Sequence, residues 1–352
     1  MKIRVDMIKE KTNCSLRAHN TFGLEVRADR FVEYDTVEDL QQVVGRIRAE
    51  EPDKPLLHIG GGSNLLFLGD YHGTVLHSAI RGVEARDEGE AVALRVGAAV
   101  VWDDFVSYCV EHGYYGVENL SLIPGEVGAS AVQNIGAYGA EAKDVIEKVE
   151  TVDLRNGAFR VFDVSECRYA YRRSIFKEEL KGRYAVTNVS FRLSRRFTPN
   201  LDYGGVREAL LASGTEGGRV TAQAVRRAVI GIRKAKLPDP KVWGNAGSFF
   251  MNPVVDRKVY EMLKTEYPDM PHYDLGEAGV KVPAGWLIER CGWKGRSLGH
   301  AAVHDRQALV LVNKGEATGR EIMDLCKAVQ TDVYDKFGIS IRPEVNIIGG
   351  EA

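Results

Sequence analysis

The chain has 352 residues, which is enough for two or three domains that each bury a core of their own. Hydrophobic residues make up 44% of the chain, charged residues make up 27%, and the formal net charge is −2. A charge so close to balance argues against nucleic acid or an anionic membrane surface as the main partner.

The five cysteines are scattered and lack the C-x-x-C spacing of zinc and redox sites. A dispersed, odd-numbered set is typical of reduced thiols in a cytosolic protein, and we expect no metal site. The first residues alternate charged and apolar side chains, without the apolar stretch of a signal peptide. No uncharged apolar run approaches the length of a membrane span. These features predict a cytoplasmic protein that does not insert into a membrane.

The beginning of the chain predicts a small α/β unit. A β-rich stretch at residues 31–34 precedes Thr36, which with Asp39 is typical of a helix N-cap. The apolar face of that helix consists of Leu40, Val43, Val44 and Ile47. A short buried strand at residues 55–59 then leads into G-G-G-S-N-L-L at residues 60–66. These contiguous glycines predict either a tight turn or a loop whose backbone N–H groups bind a phosphate.

A second glycine-rich stretch, I-P-G-E-V-G-A-S-A-V-Q-N-I-G-A-Y-G, covers residues 123–139. Its four glycines and its small side chains predict a loop that contacts a large ligand through the backbone. Composition alone leaves two alternatives open, because a contact between helices and a plain surface loop also use small residues.

Three polar positions could carry chemistry. The segment Y-A-Y-R-R-S-I-F-K at residues 169–177 is either a solvated basic face or an arginine clamp for a carboxylate. Ser248, in G-N-A-G-S-F-F-M-N-P, is either a turn residue or a reachable hydroxyl group. Glu344, in the apolar segment at residues 341–349, is either an edge-strand charge or a site carboxylate.

Hydrophobic periodicity predicts the remaining elements. Helices are expected at residues 102–110, 222–236, around 260–264 and at 318–337, the last with a capping box formed by Thr318 and Glu321. Strands are expected at residues 75–80, 92–96, 149–154, 184–193, 308–312 and 341–349. The sequence L-P-D-P at residues 237–240 ends a helix and marks a domain boundary.

Taken together, seven stretches resemble the UDP-N-acetylenolpyruvoylglucosamine reductases of bacterial peptidoglycan synthesis. In chain order they are N-T-F-G-L, G-G-G-S-N-L-L, I-P-G-x-V-G-A-S-x-V-Q-N-I-G-A-Y-G, Y-R-x-S-I-F-K, G-N-A-G-S-F-F-x-N-P, P-A-G-W-L-I-E and P-E-V-N-I-I-G. They cover nearly the whole chain. L-D-Y-G at residues 201–204 is similar to the form of the family with an extra, tyrosine-bearing loop over the substrate.

The resemblance implies a three-domain α+β fold. Its two-domain FAD-binding region would be of the vanillyl-alcohol-oxidase-like (PCMH) type, followed by a C-terminal α+β substrate domain. The implied ranges are residues 1–77 for the first FAD-binding subdomain, 78–237 with 340–352 for the second, and 238–339 for the UDP-sugar domain. The final strand is expected to return to the second of these subdomains.

The resemblance also implies the site residues. Arg172 would bind the substrate carboxylate, Ser248 would give the proton, and Glu344 would assist. Tyr203, Lys236 and Asn252 would contact the UDP-sugar. The implied contacts to non-covalently bound FAD are Gly60, Gly61, Gly62, Ser63, Asn64, Pro124, Gly125, Gly128, Ala129, Gln133, Asn134, Gly136, Ala137 and Tyr138.

The implied activity is that of an FAD-dependent UDP-N-acetylmuramate dehydrogenase, in which NADPH reduces FAD and hydride then passes to the vinyl carbon of UDP-N-acetylglucosamine enolpyruvate. We expect a monomer. Two alternatives remain from the residues: another FAD-dependent oxidoreductase of the same fold, and a flavin- or nucleotide-binding regulator without turnover. Four positions depart from the family pattern, namely Glu126, Ala131, Arg173 and Met251. A carboxylate at position 126 would repel a flavin pyrophosphate unless it points away.

Overall fold

The computed structural model of the chain describes residues 8–213 and 220–349. The helices of these residues are α1 (Val37–Glu50), α2 (Trp102–Glu111), α3 (Val127–Gln133), α4 (Val206–Ala212), α5 (Ala222–Lys236), α6 (Arg257–Glu266), α7 (Ala284–Arg290) and α8 (Gly319–Phe337). None of the helices in this described part is long and apolar enough to cross a membrane. All five cysteines carry free thiols.

The first ten strands lie in the first half of the chain. They are β1 (Lys9–Ser15), β2 (Arg27–Tyr34), β3 (Leu56–Ile59), β4 (Leu65–Phe67), β5 (Tyr71–Ser78), β6 (Val83–Asp87), β7 (Ala91–Gly97), β8 (Gly136–Ala137), β9 (Ala140–Glu141) and β10 (Ile146–Asp153). The others are β11 (Phe159–Asp163), β12 (Tyr184–Ser194), β13 (Gly244–Asn245), β14 (Val254–Val255), β15 (Tyr273–Asp274), β16 (Val280–Lys281), β17 (Ser297–Leu298), β18 (Ala301–Val303), β19 (Leu311–Asn313) and β20 (Asn346–Ile348).

The chain divides into two compact units. The first comprises Met1–Cys14, Ala28–Gly61 and His72–Ala235, and the second comprises Ser15–Arg27, Gly62–Tyr71 and Lys236–Ala352. The three domain ranges expected from the sequence stay a prediction.

Two larger sheets form the framework of the first unit. One has the strand order β1-β2-β5-β3 and the other, antiparallel throughout, has the order β11-β10-β12-β7-β6. Alternating apolar residues of β12 face a core that contains Trp102, Phe105 and Phe191, with the two phenylalanine rings 4.8 Å apart. Helix α1 begins as predicted: the Thr36 side chain accepts a hydrogen bond from the Asp39 N–H at 3.0 Å.

The second unit is built around the sheet β13-β19-β18-β17 and the long helix α8. The predicted capping box of Thr318 and Glu321 is present, and the helix ends at Gly338 in the left-handed conformation. At the start of α8 the chain passes so close to β4 that a Cβ atom on Gly319 would lie 1.8 Å from the Phe67 carbonyl oxygen. Only glycine fits there.

Four expectations need correction. Residues 127–133 are helical rather than a loop: they form α3, where a Cβ atom on Gly128 would lie 2.8 Å from the Ala98 Cβ atom. The strand expected at residues 308–312 begins only at Leu311, since a turn closed by a Val310 N–H to Gln307 O bond precedes it. The tail is a strand only at residues 346–348. That strand, β20, pairs in parallel with β4 and not with a strand of residues 78–237.

Candidate functional site

Arg172 lies in a tight turn of the first unit. Backbone hydrogen bonds run in both directions between Ala170 and Arg173, at 2.9 and 3.1 Å, and Arg172 has a φ of +57°. The left-handed conformation costs a non-glycine residue about 1–2 kcal/mol, so the surrounding structure must hold the turn in place. The Arg172 Nη2 atom donates to the Gly136 carbonyl oxygen at 2.8 Å. The turn and the end of the glycine-rich stretch are therefore connected.

Asn134 holds this turn. It is fully buried, has a φ of +45°, and ends helix α3. Its Nδ2 atom donates to the Ala170 carbonyl oxygen at 2.9 Å and to the Glu141 carboxylate at 3.0 Å, and its Oδ1 atom accepts from the Lys143 N–H at 3.0 Å. The Ser174 hydroxyl adds a second connection by donating to the Val132 carbonyl oxygen. Side chains thus fix the position of Arg172.

The segment that carries Tyr203 packs on Tyr138 and Gly139. A Cβ atom on Gly204 would lie 2.5 Å from the Tyr138 ring, so that ring covers the glycine. The Asn200 side chain donates to the Gly139 carbonyl oxygen at 3.0 Å. Tyr203 itself is 45% exposed. The predicted cofactor residue Tyr138 and the predicted substrate residue Tyr203 therefore lie in one cluster.

Arg233 on α5 is a charged residue that no sequence motif singled out. Burial lowers the pKa of its guanidinium group, while a hydrogen bond from Arg233 to the Tyr138 hydroxyl opposes this shift. The positive charge of Arg172 lowers the same pKa further. Arg226 lies seven residues earlier on the same helical face and donates to the Asp103 carboxylate at 2.6 Å. Spacing along the chain gave no signal for the burial of Arg233, since the Asp103 partner of Arg226 is itself distant in sequence.

Residues 60 and 61 of the glycine loop face the side chain of Glu126. A Cβ atom on Gly60 would lie 2.8 Å from the Glu126 Oε2 atom, and one on Gly61 would lie 3.7 Å from Oε1. The Gly61 N–H also donates a hydrogen bond to this carboxyl group. The departure from the family pattern therefore points at the glycine loop rather than away from it.

Gly62 and Gly128 have a packing role that the sequence did not indicate. Gly62 has a φ of +66°, and a Cβ atom there would lie 2.0 Å from the His19 carbonyl oxygen. Gly128 likewise packs against Ala98. At both positions the missing side chain lets protein segments approach each other, and does not by itself leave room for a ligand.

In the second unit, main-chain hydrogen bonds bring Ser248 and Glu344 together. The Glu344 N–H donates to the carbonyl oxygen of Phe249, the residue after Ser248, at 2.8 Å, and the Met251 N–H donates to the Arg342 carbonyl oxygen at 2.9 Å. Ser248 is exposed, whereas Phe249 is fully buried. The Asn64 side chain donates to the Glu344 carbonyl oxygen at 3.5 Å. The predicted cofactor residue Asn64 therefore contacts the main chain of Glu344.

The predicted diphosphate contacts lie in different settings. The Asn252 Oδ1 atom accepts a hydrogen bond at 2.9 Å from the N–H of Ala284, the first residue of α7. Lys236 is exposed at the last position of α5.

Arg173 and Ala131 have plain structural explanations. The Arg173 guanidinium group pairs with the Glu178 carboxylate at 2.5 Å and is 61% exposed, so its charge is balanced at the surface. Ala131 is fully buried within α3, where alanine retains the backbone N–H that proline would lack.

The glycine loop fits the phosphate groups of FAD in its donor chemistry. The Gly61 N–H already donates to a carboxyl oxygen, which has the same acceptor chemistry as a phosphate oxygen. Arg81 lies near enough to favour a negative charge at this position. Gly60 and Gly61 are therefore suited to hold an anionic group, whereas the first two N–H groups of α3 already donate to the Val100 and Ala98 carbonyl oxygens.

Comparisons with known proteins identify both parts of the chain. A family profile described as "FAD binding domain" matches residues 28–163, and one described as "UDP-N-acetylenolpyruvoylglucosamine reductase, C-terminal domain" matches residues 239–348. The chain is 57% identical over 335 residues to the UDP-N-acetylenolpyruvoylglucosamine reductase of Bacteroides fragilis, covering 95% of this chain and 98% of that one. It is 48% identical to the Porphyromonas gingivalis enzyme of the same name, covering 95% and 97%.

The fold has a solved counterpart. The crystal structure of the UDP-N-acetylenolpyruvylglucosamine reductase from Thermus caldophilus matches with a TM-score of 0.65 at 22% identity, covering 97% of this chain and 98% of that one. A solvent-stable cholesterol oxidase matches with a TM-score of 0.50 at 11% identity, covering 97% and 88%. The predicted α+β fold, with an FAD-binding region and a C-terminal domain, is confirmed.

Proposed function

This chain belongs to the UDP-N-acetylenolpyruvoylglucosamine reductase family, and we propose that Arg172, Ser248 and Glu344 carry out its reaction. The protein is an oxidoreductase that reduces UDP-N-acetylglucosamine enolpyruvate to UDP-N-acetylmuramate in peptidoglycan precursor synthesis. It uses FAD as cofactor and NADPH as reductant. When bound, FAD supplies the hydride for the vinyl carbon of the substrate.

Arg172 binds the substrate carboxylate. A guanidinium group stays charged and offers two parallel donors, so it can stabilise the negative charge that develops on the carboxylate as the double bond is reduced. The turn that holds Arg172 supports this role, because a strained backbone conformation that several side chains maintain is typical of functional positions. Arg233 adds a second positive charge nearby.

Ser248 donates the proton that completes the reduction. The carbon next to the carboxylate becomes strongly basic after it gains the negative charge, so a serine hydroxyl is acidic enough to protonate it. The exposed position of Ser248, next to buried Phe249, supports this role.

Glu344 assists the reaction, and its position relative to Ser248 is the single observation on which these assignments depend most. The hydrogen bond from the Glu344 N–H to Phe249 fixes the two segments in register. Serine and glutamate are both suited to proton transfer. Ser248 and Glu344 are more than ninety positions apart in the chain, and this hydrogen bond makes their segments neighbours.

The remaining assignments concern FAD and the UDP-sugar. Tyr203 covers the substrate, and Lys236 and Asn252 contact its diphosphate. The residues that hold FAD without a covalent bond are Gly60, Gly61, Gly62, Ser63, Asn64, Pro124, Gly125, Gly128, Ala129, Gln133, Asn134, Gly136, Ala137 and Tyr138. Two of these contribute main-chain groups rather than open space, since Gly62 and Gly128 pack closely against protein atoms.

The proposal extends to the cellular setting. The protein acts in the cytoplasm as a monomer, binds neither nucleic acid nor membrane, and contributes to cell shape and division through the supply of cell-wall precursor. The near-neutral charge of the chain and its ordinary composition support this view.

Anaerobic half-reactions test the proposed function. We expect the purified yellow protein to lose its flavin absorbance when NADPH is added and to regain it when UDP-N-acetylglucosamine enolpyruvate follows. Reduction by NADPH without recovery on addition of this substrate would favour another flavin oxidoreductase. A yellow protein that NADPH does not bleach would favour a regulator without turnover.

A further inference from the structure

The Glu126 carboxyl group meets the glycine loop at residues 60–61. A Cβ atom on Gly60 would lie 2.8 Å from its Oε2 atom, and the Gly61 N–H donates to the same carboxyl group. The side chain is only 14% exposed. A weakly hydrated carboxyl group thus occupies the position at which the Gly61 N–H donates.

The groups around Glu126 come from three neighbouring elements. The His77 Nε2 atom lies 3.8 Å from the Glu126 Oε1 atom, and the His77 Nδ1 atom lies 3.3 Å from the Glu33 carboxylate. If Nδ1 donates its proton to Glu33, then Nε2 presents a lone pair toward Glu126 and favours a protonated carboxyl group there. The other charged or titratable groups nearby are Tyr34 on β2, His58 on β3 and Arg81 after β5.

The surroundings of Glu126 favour its neutral, protonated form more than water does. Burial raises the pKa of the Glu126 carboxyl group to about 7, although Arg81 and the Gly61 N–H both act to lower it. Burial lowers the pKa of His77, so this ring does not supply a compensating positive charge near neutral pH. Glu126 therefore changes its charge within the physiological pH range.

We propose that the Glu126 carboxyl group occupies the phosphate-binding part of the glycine loop in the flavin-free protein, and that FAD loads onto the form in which this group is neutral. The inference rests on the proposed function, because it takes residues 60–61 as part of the FAD site. An ionised Glu126 would repel the FAD diphosphate and compete with it for the Gly61 N–H. A neutral carboxyl group does neither.

The test is the dissociation constant of FAD as a function of pH, measured by flavin fluorescence on protein stripped of its flavin. If FAD binds only to protein with a neutral Glu126, its affinity should be roughly tenfold weaker at pH 8 than at pH 6. The sign follows from the raised pKa of Glu126: the neutral acid dominates below about pH 7 and is lost above it. The FAD phosphates stay ionised throughout this range.

Two variants assign the effect to Glu126. In Glu126→Gln, which keeps the shape without a charge, FAD affinity becomes independent of pH and matches wild type at pH 6. Glu150→Gln is the matched control, since Glu150 is also 14% exposed but pairs with Arg95 on β7. It keeps the wild-type pH profile.

A measurement on the wild type alone avoids any dependence on variant folding. Calorimetry at pH 7.5 in buffers of different ionisation enthalpy should detect uptake of most of one proton per FAD bound. A flat pH profile, no proton uptake, or a pH profile that persists in Glu126→Gln would each overturn the inference. Weaker FAD binding by Glu126→Gln at every pH would overturn it too. If neither protein bound FAD at any pH, the proposed function itself would fail.

Discussion

The Arg172 turn and the Ser248 segment both present a polar side chain on irregular backbone, yet they are held in different ways. Side chains hold the turn: buried Asn134 and the Ser174 hydroxyl bond to it, and Arg172 adopts a left-handed conformation. Main-chain hydrogen bonds between the Ser248 segment and the Glu344 segment hold Ser248 in place. The side chain of Ser248 is exposed.

This difference separates a residue whose side chain is proposed to react from residues whose side chains maintain the local fold. A main-chain ladder does not depend on which side chain it carries, so Ser248 can be replaced with little effect on the fold. The Arg172 turn depends on named side chains, and changing one of them should alter both stability and ligand binding. Three substitutions test this contrast.

The largest effect is expected for Ser248→Ala. Loss of the proton donor should slow flavin reoxidation by the enolpyruvyl substrate by at least roughly a hundredfold. Reduction by NADPH and the melting temperature should stay near wild type, because the backbone ladder remains. Stopped-flow absorbance under anaerobic conditions measures the two half-reactions separately.

The control for this substitution is Ser297→Ala, at another exposed serine of the second unit. Both of its half-reactions should be unchanged. Equal slowing of reduction and reoxidation in Ser248→Ala would exclude the proton-donor role and would point instead to a general disturbance of the site.

A smaller loss is expected for Arg172→Lys. An ammonium group cannot form the two parallel bonds of a guanidinium group, so kcat/KM for the enolpyruvyl substrate should fall roughly ten- to hundredfold. Arg173→Lys is the matched control, since Arg173 lies in the same turn but pairs with Glu178 at the surface. Comparable losses in both variants would show that the turn, rather than the guanidinium group of Arg172, matters.

Local signals in the sequence predicted much of the fold. Helices α1 and α8 follow from capping residues and apolar periodicity that lie within a few positions of each other. Helix α3 was not predicted, because small residues are equally common in loops and in close helix contacts. The pairing of β20 with β4 joins residues at opposite parts of the chain, and no local pattern specifies such a partner.

The sequence indicated which residues form the candidate site, but not how they are arranged in space. Motifs singled out Arg172, Ser248 and Glu344, and these assignments stay a prediction. The inward direction of Glu126 and the burial of Arg233 depend on which segments pack together, which spacing along the chain does not determine. The close approach of Gly62 to His19 was not predictable for the same reason, since the two residues are distant in sequence.

The smallest kinetic effect, and the most direct test of the contrast, is expected for Asn134→Ala. The change removes three hydrogen bonds from a fully buried amide and places alanine at a φ of +45°. We expect a loss of about 3 kcal/mol in the free energy of unfolding, measured with urea. Because the Arg172 turn loses its main anchor, KM for the enolpyruvyl substrate should also rise several-fold.

Asn188→Ala separates the two consequences of this loss. Asn188 is also buried and donates to the Glu150 carboxylate at 3.2 Å, but it lies on β12, outside the turn of residues 170–173. It should lower stability while leaving KM near wild type. If both asparagine variants raised KM alike, general loosening would explain the effect. If only Asn134→Ala did so, the side-chain anchor would be what positions Arg172 for the substrate.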